Sequence, residues 1–236
     1  MGAVDLTPLE GLDPYDLLDA EAARIDAHLS SLPDDGWGRA SRCAGWSVRD
    51  VAAHLAATEG YHHACLDGRV RAFADEVAAR GAVGLGAMND LGISDRAGRS
   101  NAEILAEWRA ANADTRRRLR RRDGGDMDTS IGPYPVRLQA FHLAGELATH
   151  ADDMGVPITE DEAEGRWGWR GRFSRFALSE TKPSVAVTVV DGAVSVRVGD
   201  SDHVLSIPAF VEAVAGREND GQPVEPALRD ALSIMP

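Results

Sequence analysis

The chain has 236 residues, 44% hydrophobic and 27% charged, with a formal net charge of −13. That length can bury one large core or two small ones, and the acidic balance argues against a nucleic-acid partner or an anionic membrane surface. Two cysteines without a CxxC spacing exclude a disulfide scaffold, and no segment approaches the roughly 20 apolar residues of a membrane span.

The first residues lack a basic region followed by an apolar stretch, so no signal peptide is expected. Together with reduced thiols this leads to the expectation of a cytoplasmic protein, monomeric or homodimeric.

Leu17, Leu18, Ala22, Ile25 and Leu29 recur at helical spacing and predict a helix from Pro14 to Leu32. After a loop, Ser47 and Asp50 form an S-x-x-D capping box that starts a helix running to about Leu66. Residues 70–79 continue it or form a short helix of their own, and three glycines in 81–86 break the pattern. A third long helix spans Ser100 to Arg122, capped by Ser100 with Glu103 three residues on. Its end carries the basic run 116–122, read as solvated charge at a helix C-terminus. A glycine-rich loop, 123–135, precedes a fourth helix from about Val136 to Met154, stopped by Gly155 and Pro157.

Beyond Pro157 the pattern changes. Glu160 to Leu178 reads as a short helix, and two β-branched runs flanking Asp191-Gly192 predict a hairpin over 185–198. His203 to Ile207 reads as a third strand and Pro208 to Ala215 as a helix, ahead of a Pro-, Gly- and acid-rich tail. The expected fold is α+β: an antiparallel four-helix bundle over 1–158, then a small α/β domain over 159–236.

The chemistry gathers on two of the helices. Glu146 and His150 are four residues apart and share a helix face. His54, among Val51, Ala52, Leu55 and Ala56, is a candidate third ligand from another helix. Three protein ligands with an open position describe a catalytic metal site rather than a structural one. The competing reading leaves Glu146 at the surface or paired with Arg137. His142 is an alternative third ligand, but it lies about 12 Å from His150 along the helix axis, which suits a supporting role better. Asp153 is placed to accept the second ring N–H of His150. Thr58 and Tyr61 follow His54 at i+4 and i+7 and are candidate cavity-lining residues; His62 and His63 are expected to be solvated. A His₂–carboxylate set suits zinc, and also nickel, iron or manganese.

The stretch Trp37…Cys43-Ala-Gly-Trp46-Ser-Val-Arg-Asp-Val-Ala-Ala-His54-Leu resembles the N-terminal module of the mycothiol-dependent maleylpyruvate isomerases, within the DinB-like helical-bundle superfamily. The segment from Gly132 to Asp153 is similar to the second metal helix of that group, and the order of parts matches as well. The resemblance implies that His54, Glu146 and His150 bind a divalent metal, usually zinc. It also implies that a low-molecular-weight thiol such as mycothiol takes an open position as thiolate. The thiolate then attacks a small electrophile, in a maleylpyruvate-type cis–trans isomerisation or in an S-transfer. The alternative is a non-catalytic metal- or ligand-binding protein, or a regulator, on the same scaffold. Arg69, Arg71, Arg96, Arg99 and Arg137 are candidate anchors for a dicarboxylate by number and position only.

Overall fold

Side chains at the helix starts set much of the framework. In the computed structural model, which describes residues 4–190, 192–219 and 221–234, Asp13 accepts from the backbone N–H groups of Tyr15 and Asp16 and starts α1 (Pro14–Ser31). Reciprocal capping boxes, Ser47 with Asp50 and Ser100 with Glu103, start α3 (Val48–Leu66) and α6 (Asn101–Arg121). Each satisfies donors that a helix N-terminus otherwise leaves unpaired. Gly155, at φ +74°, ends α7 (Val136–Met154) in the left-handed conformation that favours glycine.

The chain divides into two compact units, one of residues 13–157 and one of residues 4–12 with 158–234. In the first, α1 packs against α6 and α7, and α3 packs against the same two helices. Leu18, Ile25, Leu55, Leu66, Ile104, Leu119 and Phe141 fill the space between them, each no more than 2% exposed. Burial of one such side chain stabilises by about 1.5–3 kcal/mol. Short helices α2 (Asp34–Trp37), α4 (Val70–Ala79) and α5 (Leu85–Ser94) occupy the connections.

Three features here differ from expectation. The glycine-rich break at 81–86 runs directly into α5, which lies against α3. A Cβ on Gly92 would come within 2.5 Å of the Ala57 Cβ, so this close approach requires glycine. The 123–135 loop contains an antiparallel hairpin of β1 (Asp126–Thr129) and β2 (Gly132–Pro135), closed by Thr129 Oγ1 donating to the Gly132 carbonyl at 2.7 Å. The basic run is also more ordered than free solvated charge. Arg116 and Arg120 pair with Asp19, Arg118 pairs with Asp67, and Arg122 donates to the Leu66 carbonyl at 2.6 Å. These arginines tie α6 to α1 and to the end of α3.

In the second unit, α8 (Glu160–Thr181) is longer than expected and packs on a 3₁₀ turn (Thr7–Leu9) and on α9 (Ile207–Val214). A Cβ on Gly171 would meet Ile207 Cγ2 at 2.8 Å, so α8 and α9 also meet at a glycine. Strands β3 (Ala186–Val190), β4 (Ala193–Val198) and β5 (Ser201–Ser206) form an antiparallel sheet in that order. The predicted hairpin pairs Val190 with Ala193; Gly192 has φ +78°, and Asp191 lies outside the described residues. Val194 and Val196 on β4 point inward with Phe210, Val214 and Leu232 to form this unit's core. The last residue belongs to α10 (Pro226–Leu232), a helix within the tail that opens on proline. The fold is α+β. Among the described residues no helix is long and apolar enough to cross a membrane.

Candidate metal centre

The start of α3 is fixed by its capping box, and His54 follows Ser47 by about two turns on the buried side of the helix. Across from it, α7 presents Glu146 and His150 from one face. The ligand atoms of His54, Glu146 and His150 all lie within 4.8 Å of one another. His54 Nε2 is 3.9 Å from Glu146 Oε1, and the two imidazole rings are 4.9 Å apart, edge to face. Both histidines are 6% exposed, whereas the Glu146 side chain is 32% exposed and marks the open side of the cluster. Trp46 covers His54 with its ring 5.2 Å away.

Asp153, one turn beyond His150, accepts from His150 Nδ1 at 3.1 Å. The same oxygen accepts from Cys43 Sγ at 3.1 Å, and the Asp153 carbonyl takes the Arg42 N–H at 3.0 Å. The loop before α3 is thereby fastened to the end of α7. With Nδ1 of His150 engaged, Nε2 is left for a metal. Cys43, His150 and Asp153 also bring three ligand-type atoms within 4.8 Å.

Electrostatics separate the two imidazoles. Burial, then the nearby His150 and His62, lower the pKa of His54 to about 3, so it presents a neutral ring at pH 7. For His150 burial acts downward, but the hydrogen bonds with Asp153 and Cys43 and the charge of Glu146 outweigh it. The result is a rise to about 9.

The other residues singled out in the sequence lie outside this cluster. Thr58 Oγ1 donates to the Leu55 carbonyl of its own helix. Tyr61 bonds Ser130 in the β1–β2 turn. His142 Nε2 is 3.1 Å from the Tyr134 hydroxyl on β2. Arg137 pairs with Asp123 rather than Glu146, and Arg96 and Arg99 both pair with Glu107. Arg69 and Arg71 are exposed.

Three residues carry more than sequence reasoning assigned them. Cys43, expected only to be a reduced thiol, donates to Asp153. His62, expected to be solvated, is buried, with Glu59 3.5 Å from its Nδ1 and Glu146 4.0 Å from its Nε2. The available signal was the i,i+3 spacing of Glu59 and His62 on the helix that already carries His54. His63 is half-buried, with Nε2 3.2 Å from the Ala111 carbonyl.

The sequence profile of the family described as Mycothiol maleylpyruvate isomerase N-terminal domain matches residues 18–155, more than half of the chain. The chain belongs to this family. Among solved structures, it resembles a mycothiol-dependent maleylpyruvate isomerase with a TM-score of 0.60 at 16% identity, over 88% of this chain and 89% of that one. A histidine-to-alanine variant of that isomerase matches with a TM-score of 0.59 at 16% identity, over the same shares. At that identity the likeness concerns the fold. A comparison with curated proteins gives no significant match. The family match spans α3 and α7 and therefore all three residues of the cluster.

Proposed function

We propose that this member of the mycothiol maleylpyruvate isomerase N-terminal domain family is an enzyme that uses a divalent metal and a low-molecular-weight thiol. The metal, zinc being one of the ions this donor set suits, is held by His54, Glu146 and His150. The observation that carries the reading is the convergence of these three donors from two helices, with Asp153 behind one of them. The residues fit such an ion. One imidazole is neutral, the other has its Nδ1–H held by Asp153 so that a metal would displace the proton on Nε2, and the carboxylate is the most exposed of the three.

A divalent cation at this place would favour the thiolate form of a bound thiol at neutral pH. The chain's own residues do the rest. Asp153 holds the proton on His150 Nδ1 and orients the ring, Trp46 keeps water from the outer side of His54, and the exposed edge of Glu146 leaves the approach for cofactor and substrate. Mycothiol is the thiol indicated by the family. When bound, it would supply a nucleophilic sulfur for a small activated electrophile, such as the double bond of a maleylpyruvate-type substrate, with the open side at Glu146 as the approach.

S-transfer to another electrophile is a second reading. It is favoured by the engagement of Arg96, Arg99 and Arg137 with carboxylates, which leaves those three committed elsewhere than to a dicarboxylate.

Metal analysis of wild type and of His54→Ala, Glu146→Ala and His150→Ala, followed by turnover with mycothiol and maleylpyruvate or a panel of electrophiles, tests the proposal. Near one metal per chain in wild type and none in the variants supports it. Full metal content and full activity in His54→Ala overturns it. Metal and thiol binding with no turnover of any electrophile leaves a binding protein in place of an enzyme.

A further inference from the structure

A third imidazole stands behind the cluster. His62 lies two turns along α3 from His54, and its two ring nitrogens face two carboxylates, Glu59 at 3.5 Å and Glu146 at 4.0 Å. Glu146 is thus divided: Oε1 faces His54 and Oε2 faces His62. His62 is 7% exposed and Glu59 3%.

Glu59 is itself held. Asn112 Nδ2 donates to its Oε1 at 2.8 Å, and the Thr115 hydroxyl donates to its Oε2. Asn112 Oδ1 in turn accepts from Arg116 Nε at 2.8 Å, and Arg116 pairs with Asp19 on α1. A chain of polar contacts therefore runs from the surface of α1 through α6 to the ring of His62 and ends at Glu146.

Replacing a buried ion pair by apolar residues of similar volume is often neutral or stabilising. Stability alone therefore does not explain why α3 carries a buried Glu59–His62 pair aimed at a residue of the other helix. The arrangement is a looser counterpart of that of Asp153 and His150, a carboxylate behind an imidazole at 3.5 Å rather than at the 3.1 Å of a hydrogen bond. A further difference is that the forward nitrogen of His62 meets Glu146 and contributes no atom to the three-residue ligand set.

We propose that His62, braced by Glu59, is a positioning residue for Glu146, engaging Oε2 so that Oε1 is presented to His54 and His150. This inference rests on Glu146 acting as a metal ligand.

Metal titrations of the full chain with Zn²⁺ and Co²⁺ test it, comparing wild type with His62→Leu, His62→Gln and Glu59→Gln. Leucine fills the volume without a donor; glutamine returns an N–H to the side facing Glu146. Thermal unfolding of the metal-free proteins reports folding separately. The expected result is a loss of metal affinity of about 10- to 100-fold in His62→Leu, a smaller loss in Glu59→Gln, and recovery of most of the affinity in His62→Gln. The visible spectrum of the Co²⁺ form should change in His62→Leu and return toward wild type in His62→Gln. Wild-type affinity and an unchanged Co²⁺ spectrum in His62→Leu would overturn the inference while leaving the metal site intact. Equal losses in His62→Leu and His62→Gln would also overturn it, because they would mark a packing role. A wild type that takes up neither ion removes the metal site itself, and this inference with it.

Discussion

Asp153 Oδ2 lies 3.1 Å from His150 Nδ1, and the aspartate side chain is wholly withdrawn from solvent. One carboxylate oxygen thus holds the Nδ1 proton and the rotation of the histidine and anchors the Cys43 thiol of a separate loop. Exchange of Asp153 for asparagine keeps the shape but removes the charge and weakens its hold on the Nδ1–H. Asp153→Asn is expected to lower metal affinity about 10- to 100-fold, with the protein still folded. Competition titration with a chromogenic chelator measures the loss, and an unchanged affinity would remove Asp153 from the site.

Cys43 is the third member of that contact and makes a distinct prediction. Its thiol is a weak donor. A serine hydroxyl in its place would still donate to Asp153, whereas an alanine methyl would not. Cys43→Ser should retain metal affinity within about threefold, and Cys43→Ala should fall further, by about tenfold, within the range for groups that orient metal ligands. Calorimetric titration of both variants separates these outcomes; two identical losses would show that the sulfur matters for packing rather than for its hydrogen bond.

The legibility of this protein in its sequence follows the range of the interactions concerned. The helix starts at Ser47 and Ser100 could be read because a capping box involves residues three apart. The Glu146, His150 and Asp153 group could be read for the same reason, all three lying within two turns of one helix. Helix α5 could not, because its glycine-flanked sequence is held by contact with α3, where Gly92 lies against Ala57. The β1–β2 hairpin lacks strong alternation and depends on Thr129 and on Tyr61 reaching Ser130 from another element. His62 is the sharpest case. Its surroundings come from α6 and α7 as well as from its own helix, and the one local signal, its i,i+3 spacing from Glu59, fits an exposed pair as well as a buried one.

The α3–α5 approach carries its own prediction. Gly92→Ala places a methyl group where the Ala57 Cβ already is, and α5 must shift away. Overpacking of this kind costs about 1–3 kcal/mol. It is set against a gain of up to about 1 kcal/mol in helix propensity from replacing glycine. A net loss of thermal stability is expected, and Ala57→Gly in the same chain should restore much of it by returning the space. A Gly92→Ala protein more stable than wild type would show that α5 does not hold this distance in solution.

The final prediction concerns pH. His54 has its pKa lowered to about 3 by burial, then by His150 and His62, against an ordinary value of 6.5. The unfolded chain therefore takes up a proton that the folded protein refuses, and metal-free stability falls as pH drops from 6.5 toward 3. His150, raised to about 9, works in the opposite window. Its stabilising contribution is complete below 6.5 and is lost as pH rises toward 9. His62 adds to that loss at higher pH, because Glu59 and Glu146 outweigh its burial and raise it. Glu59 adds to the loss in acid: its buried carboxyl is held below its ordinary value by His62, Thr115 and Asn112. For these groups together, the metal-free protein is expected to be most stable near pH 6.5. A bound metal replaces the proton on His150, so metal affinity should rise about tenfold per pH unit below 9, as release of one proton requires, and should flatten above it. Denaturant titrations with and without chelator at pH 5, 6.5 and 8.5 check both halves. The metal-loaded protein should reach its highest stability at a more alkaline pH than the chelated one. Coincident pH profiles would show that His150 does not exchange its proton for the metal.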